Sequence, residues 1–193
     1  MLENLSKYKV KLASKSPRRR ELLEELRVPF SIITTGGIDE SYPDTLPPKE
    51  IPAYLANKKG DAYMRRFDGN ELVITADTLV ILGDKVLGKP EGRDDAIKML
   101  KELSGRTHLV VTGVSISTKD KRTTFSVITE VTFSHISDAD IEYYVDNFLP
   151  FDKAGAYGIQ EWIGCIAVES IRGSYYNVMG LPVHRLYHEL KNF

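Results

Sequence analysis

The chemistry legible in this sequence begins at Ser14-Lys15-Ser16-Pro17-Arg18-Arg19-Arg20, where a strand passes into a helix. Ser16 is of the type that caps a helix, and Pro17 suits the first helical position. Three arginines in the first turn oppose the helix dipole, whose positive end prefers acids, at roughly 0.3–1 kcal/mol per charge. A bound anion would remove that conflict, because free backbone N–H groups, a serine hydroxyl and guanidinium forks together make a phosphate cradle. The competing reading is a solvated basic face in which Arg20 pairs with Glu24 one turn on.

A second signal is Asp77, alone in the apolar run Leu72-Val73-Ile74-Thr75-Ala76-Asp77-Thr78-Leu79-Val80-Ile81-Leu82. A carboxylate there is tolerated when it is paired, metal-bound or held ready as a base; otherwise it marks a turn or bulge. Gly83 to Lys89 has the spacing of a phosphate-binding P-loop until Pro90 stands where Ser or Thr would hold magnesium. Its glycines also span an apparent hairpin turn, so the P-loop is rejected. Lys89 is left as a cation at a strand end, or as a plain solvated lysine.

The third constellation is Asp152-Lys153-Ala154-Gly155-Ala156-Tyr157-Gly158-Ile159-Gln160, an adjacent base and acid followed by two glycines that permit close backbone approach. The bland alternative is a turn with a surface ion pair. His184 and His188 have the i, i+4 spacing of a helical metal pair but lack the glutamate of the zinc-protease motif, which favours an ordinary amphipathic helix. No serine, histidine and acid set can be assembled with any specificity.

These residues need a scaffold, and hydrophobic periodicity supplies alternating elements. Strands are expected at Lys9 to Ala13, Phe30 to Thr34, Leu72 to Ala76, Leu79 to Leu82, Leu109 to Ser117, Thr123 to Phe133 and Cys165 to Ile171. Helices are expected from Pro17 with a Leu22, Leu23, Leu26 stripe, and over Ile51 to Phe67, Asp94 to Leu103, Ser137 to Asn147 and Val183 to Leu190. Ser104-Gly105 is a left-handed helix stop. Adjacent β runs beside helix-connected ones predict an α/β fold with a mixed sheet.

At 193 residues a chain buries roughly 70% of its unfolded surface, so it needs no disulfide or structural metal to hold a core. One domain, two-lobed at most, fits that size. The single cysteine, Cys165, excludes an internal disulfide and multi-cysteine metal sites, fits a reducing cytoplasmic compartment, and reads as a small buried hydrophobe. With 26 basic against 27 acidic residues, no global field recruits nucleic acid or anionic lipid, so any anion site is local. The amino-terminal residues contain no signal-type core, and nowhere does an apolar stretch approach the ~20 residues of a membrane helix.

In order along nearly the whole chain, Ala13-Ser14-Lys15-Ser16-Pro17-Arg18-Arg19, Ala76-Asp77-Thr78, Lys89-Pro90, Leu103-Ser104-Gly105-Arg106-Thr107-His108, the 152–160 constellation, Gly173-Ser174-Tyr175 and Gly180-Leu181-Pro182 resemble the Maf family of nucleoside triphosphate pyrophosphatases. The resemblance implies one Maf-like domain over residues 1–193. It also implies a two-lobed, inosine-triphosphatase-like α/β fold with an elongated mixed sheet and nucleotide in the cleft between lobes. The implied reaction is hydrolysis of a nucleoside triphosphate to monophosphate and pyrophosphate.

Carried over motif by motif, the resemblance makes Asp77 the proton acceptor and associates Arg18, Thr78 and Gln160 with substrate choice. It makes Ser14, Lys59, Lys89 and Lys153 phosphate contacts. Glu40, in Gly37-Ile38-Asp39-Glu40, becomes a metal-associated acid beside Asp77, for a magnesium or manganese ion. That chemistry is coherent: a carboxylate activates water while a cation and lysines hold the departing pyrophosphate. The branch carrying Arg, Thr and Gln at these positions implies dTTP and UTP as substrates. The Gln160 amide can accept from the imide N–H of uracil or thymine while donating to a neighbouring carbonyl.

Departures from the family pattern are Gly60 where alanine is usual, Ser134 where a basic residue is common, and Glu161 where glycine is frequent. Glu161 either tilts substrate preference beside Gln160 or faces solvent. The other readings are a non-catalytic, nucleotide-binding regulator of septum formation, whose signature would be loss of Asp77 or Glu40, and a pyrophosphatase for inosine or 7-methylguanosine triphosphate. The expected partner is a small-molecule nucleotide, with no nucleic acid or membrane; the sequence does not fix the oligomeric state and is compatible with a homodimer.

Overall fold

The apolar run around Asp77 forms one unbroken strand where two segments are expected. In the computed structural model, which describes residues 2–34, 36–64 and 69–193, this strand is β3 (Glu71–Leu82), with residues 72–77 and 80–82 buried. Burial on both faces is what a near-continuous apolar strand in the middle of a sheet requires. Two compact units share the chain: residues 1–77, 112–127 and 180–193 make the first, and residues 78–111 and 128–179 the second. No helix among the described residues is long and apolar enough to cross a membrane.

In the first unit β1 (Lys9–Ala13) pairs in parallel with β2 (Ser31–Ile33) and with β3, Leu12 lying opposite Ile32 and Ile74. Helix α1 (Pro17–Glu25) follows β1. The Ser16 hydroxyl accepts from the Arg19 N–H, Pro17 takes the first position, and Leu22 and Leu23 are buried. Helix α2 (Ile51–Met64) covers part of the expected Ile51 to Phe67 helix; Phe67 lies outside the described residues. Thr75 in β3 donates to the Ala56 carbonyl of α2 at 2.7 Å, and Thr124 donates to Asn57 at 2.6 Å. These bonds hold two adjacent residues of α2 to two different strands. Gly113 permits the approach, since a Cβ there would overlap the Pro52 and Ala53 backbone.

Strands β5 (Thr107–Ser117) and β6 (Arg122–Phe133) run through both units. With β7 (Val168–Arg172) they complete the order β2-β1-β3-β5-β6-β7, β4 (Lys85–Leu87) adding to β3. Parallel β1 pairings beside antiparallel β3–β4 and β6–β7 pairings make the sheet mixed. The β3–β4 hairpin turns at Gly83, whose φ is +62°. That turn occupies the segment with P-loop spacing.

The second unit buries a core between helices α3 (Arg93–Leu103) and α4 (Asp138–Phe148) and the sheet, with Leu87, Leu100, Leu103, Val131, Phe133, Ile141 and Tyr144 at its centre. The expected strand from Cys165 is instead helix α5 (Trp162–Ala167), and β7 begins only at Val168. Ile163 and Ala167 are buried, an i, i+4 pair on one helical face, and a short apolar run does not distinguish that period from a strand. Gly164 packs so tightly on Ile159 that any Cβ would overlap the Ile159 carbonyl. Cys165 is consequently exposed rather than a buried hydrophobe. Two further helices follow, the unanticipated α6 (Tyr175–Met179) and the expected α7 (Val183–Lys191).

His108, 1% exposed, packs edge-on against Phe133 and Tyr157, and its Nε2 is 2.8 Å from the Tyr157 hydroxyl. Burial lowers its pKa from 6.5 to about 4. The unfolded chain therefore takes up this proton first as pH falls, so the stabilisation is complete above about pH 6.5 and is lost on the way to pH 4. At about 1.4 kcal/mol per pH unit the loss amounts to about 3 kcal/mol. Denaturant unfolding at pH 7 and pH 4 should show that loss in the wild type and a smaller one in His108→Gln; equal losses would remove His108 as the cause.

Candidate active site

The first unit gathers Asp77, Lys59 and Glu40. Asp77 is 8% exposed and closes the first buried stretch of β3, residues 72–77. Its Oδ1 accepts from Lys59 Nζ at 2.7 Å, and the same ammonium is 3.0 Å from Glu40 Oε1. Asp77 Oδ2 is buried and has no hydrogen-bond partner among the described residues. Leaving such an atom unpaired is costly, so it marks a place where a water, a proton or a cation belongs.

The neighbouring lysine explains how Glu40 is held. Lys58 Nζ donates to Asp39 Oδ2 at 2.8 Å and to the Ser41 carbonyl at 2.8 Å, which fastens the 39–41 loop to α2. Lys58, the Ser41 N–H and the Ser41 hydroxyl hold Asp39 below the usual carboxylate range. The Asp39-Glu40 and Lys58-Lys59 doublets thus pair acid with base in two parallel contacts. Sequence reasoning singled out only Glu40 and Lys59, although the doublets themselves were a signal.

Around the start of α1, the Ser14 hydroxyl accepts from the Ser16 N–H at 3.1 Å and Arg18 is half-buried. Arg20 makes the expected pair with Glu24 at 2.8 Å, so one of the three arginines belongs to the solvated face. Arg19, which the sequence offered only as one of the three guanidinium forks of an anion cradle, donates from Nε to the Gly180 carbonyl at 2.8 Å. Burial disfavours its charge, the Asp77 field favours it, Arg18 opposes it and Glu40 favours it. The first turn of α1 therefore lies within electrostatic reach of both acids.

The second unit gathers the remaining candidates. Thr78 follows Asp77 on β3 and is half-buried, while Lys89 is exposed just beyond β4. The loop after α4 is built from two short 3-10 turns, Pro150–Asp152 and Ala154–Ala156. Its Gly155 has φ +67° and presses on Val80, where a Cβ would come within 2.9 Å. The Gly155 N–H donates to the Gly88 carbonyl at 3.0 Å, which binds this loop to the segment carrying Lys89. Lys153 is 7% exposed and ion-paired to Asp152 at 2.7 Å and Glu161 at 3.0 Å. Gln160, at the loop's end, is exposed. Glu161 is partly buried, its side chain 21% exposed, and folds back over Lys153.

For a divalent cation the relevant donors are hard oxygens, those of Glu40 and the unpartnered Oδ2 of Asp77, which suit magnesium or manganese. No group of three or more His, Cys, Asp or Glu side chains placed to hold a metal ion occurs among the described residues. His184 and His188 meet edge to face on α7 with ring centroids 4.8 Å apart, and among the described residues no third ligand joins them.

Known proteins agree with this architecture. A HAM1 protein from Coxiella burnetii superposes with a TM-score of 0.51 at 13% identity, over 96% of this chain and 100% of that one, which shows that the two share a fold. A protein of Phocaeicola vulgatus named dTTP/UTP pyrophosphatase is 56% identical over 99% of both chains. One of the same name from Parabacteroides distasonis is 55% identical over 100% of both. The Maf-like protein family matches residues 9–193, and the chain belongs to the Maf family.

Proposed function

We propose that this chain is a single Maf-like pyrophosphatase domain that hydrolyses dTTP and UTP to the nucleoside monophosphate and pyrophosphate. The observation that carries the reaction is the Asp77 carboxylate, with one oxygen tied to Lys59 and the other buried without a partner among the described residues. In the reaction this carboxylate accepts a proton from water as the water oxygen bonds to the α-phosphorus and the α–β bridging bond breaks. Lys59 orients the carboxylate through Oδ1. Ser14, Lys59, Lys89 and Lys153 contact the phosphates, and Arg18, Thr78 and Gln160 read the base. A magnesium or manganese ion held by Glu40 and Asp77 supplies neutralisation of the charge on the departing pyrophosphate when bound.

The substrate choice rests on the names of the two relatives and on the complementarity of an amide to an imide edge. Measuring pyrophosphate release from dTTP, UTP, CTP, ITP and 7-methyl-GTP tests it. The expected result is kcat/KM for dTTP and UTP at least about tenfold above the others, a preference that Gln160→Glu removes selectively. Equal efficiency on CTP and dTTP, or preference for a purine, would overturn the assignment, and nucleotide binding with no release from any substrate would make the chain a regulator.

A further inference from the structure

Glu161 precedes α5 but does not cap it with its side chain. The carboxylate turns back instead: Oε1 lies 3.0 Å from Lys153 Nζ, and Oε2 accepts a short hydrogen bond from the Tyr144 hydroxyl. Tyr144 is fully buried in α4, and its oxygen also accepts the Gly158 N–H at 3.0 Å. Burial first, and the Glu161 bond second, push this phenol well above its ordinary range, so it remains the donor to Glu161. The side chains cross directly over Gly158, where a Cβ would come within 2.8 Å of Glu161 Cδ and 3.0 Å of Lys153 Cε.

The loop is therefore pinned at Lys153, Gly158 and Glu161, with Gln160 carried between the last two. Of the three ammonium protons of Lys153, the Asp152 and Glu161 carboxylates engage two. Their positions fix the direction of the third. From this geometry we propose that Glu161 is a positioning residue: it aims the Lys153 ammonium at the triphosphate and, through Tyr144, holds the backbone from which Gln160 projects. The inference rests on the reading of Lys153 as a phosphate contact.

Glu161→Gln keeps the volume and an acceptor for Tyr144 but places an amide where Lys153 has a carboxylate. Losing one charge-assisted contact should raise KM for dTTP about tenfold. Turnover should change by less than about threefold, because the lost contact is made to the bound substrate as much as to the transition state, whereas a merely structural role would lower the active fraction and leave KM alone. In a Lys153→Ala background the same substitution should change KM by less than about twofold, since the effect passes through Lys153. Glu161→Asp, charged but one carbon too short to span both partners, should fall between wild type and Glu161→Gln, and it serves if the amide variant does not fold.

A KM rise in Lys153→Ala with none in Glu161→Gln, or with fully additive effects, would overturn the positioning role while leaving the phosphate contact standing. An unchanged KM in Lys153→Ala itself would remove the phosphate contact, and the inference with it.

Discussion

Asp77→Asn is expected to lower turnover by about 10²–10⁴ while the protein still folds. The amide is nearly isosteric with the carboxylate, so the buried middle of β3 is not repacked. The amide oxygen can still accept from Lys59, and Lys59 keeps Glu40 at 3.0 Å as its counter-charge. What disappears is the ability to take a proton, or to hold a cation, at the position of Oδ2, the buried oxygen without a partner among the described residues. Single-turnover pyrophosphate release measures the loss, and thermal unfolding reports whether the fold survived. Wild-type turnover in a folded variant would exclude Asp77 as the base.

Chelation of divalent cations is expected to stop turnover, and added magnesium or manganese to restore it. Glu40 and Asp77 present oxygen donors of the kind these ions prefer, brought together by one lysine between them. Glu40→Gln removes a charged donor whose side chain is about half exposed, 54%, so its effect on folding is small. The variant should need a higher magnesium concentration for half-maximal turnover. Full activity in excess chelator would dismiss the cation, and an unchanged requirement in Glu40→Gln would dismiss Glu40 as its ligand.

Local patterns in the sequence determined much of the scaffold. The Ser16-Pro17 start of α1, the acidic first turn of α3 and its Ser104-Gly105 end, and the long strands β5 and β6 follow from capping chemistry and from periodicity, which depend on near neighbours in the chain. The α/β class with a mixed sheet follows from the order of those elements. Family membership was legible too, because many short motifs kept their order over nearly the whole chain, and that same match singled out Asp77, Glu40 and Lys59.

Tertiary structure decided what depends on distant partners. Whether residues 162–167 form a strand or a helix was settled by Gly164 meeting the Ile159 carbonyl and by burial of Ile163 with Ala167. Lys58 fastening Asp39, nineteen residues away, and so delivering Glu40 to Lys59, is a contact no local period encodes. Asp77 reads alone as a turn aspartate or a functional acid; only the fold places it within a strand, with a lysine on one oxygen and none of the described residues on the other. Glu161 beside Gln160 suggests an effect on the base or none, whereas Tyr144 from α4 and Lys153 draw its carboxylate inward. A charged side chain goes where its desolvation is best compensated, and in this chain the compensating groups are supplied by other elements of the fold.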